Sequence, residues 1–214
     1  MSPEVQSDPM EQAHEALRTE SWDRAAELAR LALRQAELLG QESEAALAHF
    51  ILGTALAGPV GAPPHFRDEA ECHLLAALPQ FDENEELALA GETRALLGGL
   101  AVVRARAGGL AEQLVQASEY YRGAVEDFMH GEELMPQCTA IHNLGLCLSA
   151  RASDTDLPQT DRLDLLDEAL ECFHDALELE VECGLHEMAE HTDRERVLAQ
   201  LMHDALKGQA GRTG

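Results

Sequence analysis

A single lysine, Lys207, stands against fourteen arginines and forty acidic residues, and the formal charge is −25. So little positive charge excludes an extended phosphate-neutralising surface, and direct nucleic-acid binding is not expected. A basic or amphipathic protein partner is the natural complement, although net charge serves solubility as readily as recognition. Aromatic residues are also scarce, at 4 %. β-Branched residues are few beside alanine and leucine, which leaves helix as the favoured local state. There is no C-x-x-C, and the cysteine count is odd: Cys72, Cys138, Cys147, Cys172 and Cys183. That argues against a disulfide framework and for a reducing compartment. Residues 1–9 lack an apolar core of the signal-peptide kind. The longest purely apolar run, Ala95 to Val103, is nine residues and too short to span a bilayer. These absences predict a cytoplasmic protein that does not enter a membrane.

What is present is helical periodicity. Residues 1–9 read as a disordered lead-in, 10–207 as one helical domain, and 208–214 as a flexible tail. Nine helices are expected, near Met10–Arg18, Ser21–Leu39, Glu42–Ala57, Phe66–Leu78, Glu85–Ala107, Leu110–His130, Leu134–Ala152, Thr160–Cys183 and Leu185–Lys207. Ser21 and Thr160 are candidate N-caps, Gly40 a C-cap, and Gly131 a closing residue. Pro79 is expected to follow the fourth helix. The segment Gly58-Pro59-Val60-Gly61-Ala62-Pro63-Pro64 and the stretch Ser153 to Gln159 read as loops.

A repeat underlies the periodicity. Leu52-Gly53, Leu97-Gly98 and Leu144-Gly145 recur at matching places. Each following helix carries a small, a large and a small residue at offsets 0, 4 and 7: Ala70, Leu74, Ala77; Ala117, Tyr121, Ala124; Ala169, Phe173, Ala176. Ala25, Ala29 and Ala32 form a degenerate first copy. The anchors Ala25, Ala70, Ala117 and Ala169 lie 45, 47 and 52 residues apart. These offsets share one helix face. Two alanines admit a neighbouring helix, the large residue fills the space between them, and the glycine permits a close crossing.

This pattern resembles the tetratricopeptide repeat in a long variant, since the usual repeat is about 34 residues. The resemblance implies an all-α solenoid of antiparallel helix pairs, about four, plus a C-terminal capping helix. A plain bundle or another α-solenoid is the alternative. It further implies a concave groove lined by the first helix of each pair. On the fourth pair Ile141, Leu144, Gly145 and Leu148 pack inward, leaving Thr139, His142, Asn143, Leu146 and Ser149 for the groove. The matching positions are Leu47, Phe50, Ile51 and Thr54 in the second pair, and Glu92, Ala95, Leu96, Gly99 and Val102 in the third. Adaptor members of the family use an asparagine before Leu-Gly to grip a peptide backbone, and Asn143 fits. Ile51 and Leu96 break any asparagine ladder. Members that hold a chaperone's C-terminal carboxylate use groove cations; Arg94 alone offers that here, which disfavours such a role.

Two other features invite function. Asp161 to Glu195 holds thirteen acidic residues and two arginines. Within it Asp164, Asp167, Glu171, Asp175 and Glu178, with Glu168 and Glu182, recur at steps of three or four and form one acidic flank. That flank is either a solvated face or an electrostatic dock for a basic partner. "HEMAEH", His186 to His191, resembles H-E-x-x-H but spaces its histidines five apart, about 140° around a helix. No metal or cofactor is expected, and no nucleophile elbow, phosphate loop or dinucleotide fingerprint appears. The expected function is non-enzymatic protein binding, as adaptor, dedicated chaperone or regulatory subunit. A peptide- or small-ligand-sensing regulator is the alternative, and an acidic mimic of nucleic acid a further one. Oligomeric state is left open.

Overall fold

A computed structural model describes residues 8–58, 64–108 and 111–210. Among them the chain forms nine α-helices: α1 Pro9–Arg18, α2 Trp22–Leu39, α3 Glu42–Ala57, α4 Pro64–Glu83, α5 Leu87–Arg106, α6 Ala111–His130, α7 Leu134–Ala152, α8 Gln159–Glu182 and α9 His186–Ala210. Packing divides the chain into two compact units, Met1–Leu96 and Leu97–Gly214, and the division falls inside α5. In the first unit α1 packs on α2, α2 on α3 and α3 on α4; in the second, α6 packs on α7, α7 on α8 and α8 on α9. Packing between sequential neighbours is the signature of a helical repeat or solenoid-like arrangement.

The small–large–small triplets form the core. Ala70, Leu74 and Ala77 are fully buried, as are Ala117 and Ala124 around Tyr121, and Ala169, Phe173 and Ala176. The preceding glycine meets the central large residue each time. A Cβ on Gly53 would stand 2.7 Å from Leu74 Cγ; on Gly98, 2.9 Å from Tyr121 Cζ; on Gly145, 2.8 Å from Phe173 Cε1. No ordinary side chain fits those separations, so glycine sets how closely each helix pair crosses. Ala25, Ala29 and Ala32 are buried in the degenerate first copy.

Several boundaries differ from the sequence expectation. α1 opens at Pro9, with Asp8 as N-cap accepting a 3.0 Å bond from the Met10 backbone N–H. Residues 1–7 of the expected lead-in lie outside the described residues, as do 59–63 of the Gly/Pro loop and 211–214 of the expected tail. Gly208 to Ala210 are helical and close α9. Pro79 lies inside α4 rather than after it. An internal proline costs about 3 kcal/mol. The helix continues to Glu83 because Phe81, fully buried, packs edge-on against Phe50 with ring centroids 6.0 Å apart. Thr160 does not cap α8: Pro158 is at that position, and the Thr160 hydroxyl turns to Asp161. Ser21 is the N-cap residue of α2, without a side-chain capping bond, and Gly40 ends that helix at φ 67°. After α6 the left-handed residue is Glu132 at φ 58°, not Gly131; Glu20 and Glu85 take the same conformation after α1 and α4.

Candidate functional site

The residues expected to line a groove separate into different environments. In the first unit Leu47 is half-buried, while Phe50 and Ile51 are buried. Thr54 turns its hydroxyl back to the Phe50 carbonyl at 2.8 Å. Phe50 is therefore a core residue of the α3–α4 contact, because Phe81 continues past Pro79 to cover it. Glu92 is exposed on α5. Arg94 holds both Asp82 carboxylate oxygens, at 2.8 and 2.9 Å.

In the second unit Thr139 is half-buried and donates to the Met135 carbonyl at 3.2 Å. Asn143 and Leu146 do face a cleft. They share it with Gly99 and Val102, both placed in the groove by register alone, and with Ala105, Arg106, Leu114, Tyr121, Cys147 and Ala150. The cleft measures about 350 Å³ and is contributed by α5, α6 and α7. That lies within the range of small-ligand pockets. Apolar side chains and helix backbone make most of the wall. Three polar groups stand among them: the Tyr121 hydroxyl, the Asn143 carboxamide and the Arg106 guanidinium. Among the described residues none of the three has a hydrogen-bond or ion-pair partner from its side chain. Burial pushes the Tyr121 phenol upward, and Arg106 partly opposes that. Burial raises the Cys147 thiol to about 11, against the nearby positive charges of Arg106 and Arg151. Cys147 is therefore a protonated lining group, not a nucleophile.

His142 leaves the groove. It is only 6 % exposed, and Nδ1 lies 2.8 Å from the Thr192 hydroxyl of α9. The Thr192 hydroxyl in turn donates to Glu180 Oε1 of α8 at 2.8 Å. With Glu180 ionised, Thr192 gives its one proton to that carboxylate and accepts from the His142 Nδ1–H. The His142 ring also meets Phe173 edge-on, with centroids 5.9 Å apart, and His191 at 5.2 Å. Burial, with His191 adding to it, lowers the His142 pKa to about 4. Burial raises that of Glu180, against the Thr192 bond and His191. Register alone missed this chain because it considers α7 as half of one pair, whereas α9 also reaches α7. The signal available was the proximity of "HEMAEH" to the end of the array, which brings Thr192 and His191 to α7.

Asp164, Asp167, Glu171, Asp175 and Glu178 are all exposed on α8. Two are not free of partners: Asp167 Oδ1 lies 3.0 Å from His203 Nε2, and Glu178 lies 3.5 Å from His174. Glu168, on the edge of the row, pairs with Arg122 of α6 at 2.6 Å. Among the described residues no three His, Cys, Asp or Glu side chains converge as a metal site needs, and no helix is long and apolar enough to cross a membrane. The chain matches no protein-family model and no curated protein sequence.

Proposed function

We propose that the chain is a non-enzymatic interaction module of tetratricopeptide-repeat type, serving as an adaptor, dedicated chaperone or regulatory subunit. The cleft of α5, α6 and α7 is its binding site for a partner segment. The single observation that carries this is the convergence of Gly99, Val102, Asn143 and Leu146 on one open, mostly apolar cleft. These are residues that the repeat register places in the groove, on two different helices. An apolar cleft with a few polar groups suits one inserted apolar side chain flanked by backbone, and Asn143 offers a donor and an acceptor to that backbone.

The exposed carboxylates of α8 supply a second element. Asp164, Glu171 and Asp175 have no cationic partner among the described residues. They attract a basic stretch of the partner and speed its encounter more than they hold it. The test is affinity capture of partners from the native source with the wild-type chain, Leu146→Arg, and a triple variant Asp164→Asn, Glu171→Gln, Asp175→Asn. Leu146→Arg should abolish retention at high salt. The triple variant should weaken it only at low salt. Equal retention by all three chains overturns the reading.

A further inference from the structure

The cleft described above is apolar in most of its wall, and its polar side chains make no hydrogen bond or ion pair among the described residues. Tyr121 is 95 % buried, being 5 % exposed, and its hydroxyl has no partner among the described residues. The hydroxyl faces the open cleft, where an occupant can accept its proton. Arg106, on the last residue of α5, lines the same cleft. It forms no ion pair among the described residues, in a chain with forty acidic side chains. Arg151 of α7 lies close enough to Cys147 to act on it, and donates to the Ser118 hydroxyl at 3.2 Å rather than to a carboxylate. Two guanidinium groups thus stand in or beside a cleft whose lining carries no carboxylate. Its polar lining donates: a phenol, a guanidinium and a carboxamide N–H. No acidic side chain lines it.

Those groups call for an acceptor with negative charge, joined to an apolar body that fits against Val102, Leu114 and Leu146. We propose that the cleft binds a small free carboxylic acid with an apolar tail. The carboxylate sits at Arg106 and the Tyr121 hydroxyl, and the tail fills the apolar wall. This rests on the reading of the cleft as the module's binding site and deepens it: such an acid competes with the partner segment and regulates its capture. Elsewhere the strongly acidic surface repels the anion, which confines it to this site.

The test is isothermal titration calorimetry of the full chain with octanoate and, as an uncharged counterpart, octanamide, below micelle-forming concentrations. One octanoate should bind per chain, at least about tenfold more tightly than octanamide, because a hydrogen bond to a charged group is worth that factor or more. Arg106→Gln should weaken octanoate by about tenfold and leave octanamide nearly unchanged, and Tyr121→Phe should weaken octanoate by about tenfold and octanamide by less. Circular dichroism melts confirm that both variants stay folded; Arg106 is exposed, so its variant keeps the core. Octanoate should bind less tightly as salt rises. Equal affinity for octanoate and octanamide, insensitivity to Arg106→Gln, or no octanoate binding overturns the proposal. The module reading stands or falls separately: it fails when Leu146→Arg retains partners as well as the wild type, whatever octanoate does.

Discussion

Glu180 is wholly buried, and its Oε2 meets no hydrogen-bond donor among the described residues. Its folded pKa is raised, so its contribution to stability is present below the unfolded value of 4.5 and is lost as pH rises through the folded value. At pH 7 the unfolded chain ionises this group freely and the folded chain does so at a cost. Glu180→Gln keeps an acceptor for Thr192 and removes that cost. It should raise the melting temperature at pH 7 by a few degrees, and the gain should vanish at pH 4; thermal melts at both values check this. His142 acts in the opposite sense. Its folded pKa is about 4 against an ordinary 6.5, so its stabilisation is present above 6.5 and is lost as pH falls toward about 4. The shift corresponds to roughly 3 kcal/mol. An NMR titration should find the His142 imidazole still neutral at pH 5. A His142 resonance that titrates near pH 6.5 contradicts the buried chain to Thr192 and Glu180.

At the scale of elements, the close helix crossings rest on three glycines and the large residues opposite them. Gly145→Ala places a methyl 2.8 Å from the Phe173 ring and should destabilise by about 1–3 kcal/mol in urea denaturation. Phe173→Leu in the same chain should make the alanine nearly harmless, so the double mutant should fall well short of the sum of the singles. Additive losses would show that the glycine serves another purpose. The turns after α1, α4 and α6 place glutamates in left-handed backbone. Glu132→Gly relieves a conformation that costs about 1–2 kcal/mol and gives back part of it as unfolded-chain entropy. A net gain of up to about 1 kcal/mol is expected from urea midpoints.

The helices and their mutual contacts were legible because 3.6-residue periodicity and the Leu-Gly pattern report packing directly. Ala70, Leu74, Gly53 and their repeats stand where spacing puts them. At Pro79 local propensity says stop, while a distant aromatic, Phe50, rewards continuation to Phe81. Thr160 lost the cap to Pro158, whose fixed φ already suits a helix entry.

At the scale of the molecule, the sequence carries charge plainly and site geometry poorly. Asn143 and Leu146 line the cleft at the positions register gives them, since both belong to one face of a single helix. Register does not bring Arg106 and Tyr121 to that cleft: Tyr121 reads as core, and Arg106 lies beyond the groove positions of its repeat. Only the packing of α6 against its neighbours exposes the Tyr121 hydroxyl to the same space as Asn143. His142 went the other way, because the arc that α7 buries is wider than one helix pair requires. The acidic row of α8 was legible in place, but its ties to His203, His174 and Arg122 depend on other helices.

The measurement that bears most directly on the binding role is a side-by-side capture from the native source, eluted by a salt gradient, with the wild-type chain and Leu146→Arg. The wild type should hold a protein partner into high salt, and Leu146→Arg should release it early, with both chains equally folded. Retention that is the same for both chains, or no partner enriched on either, would contradict it.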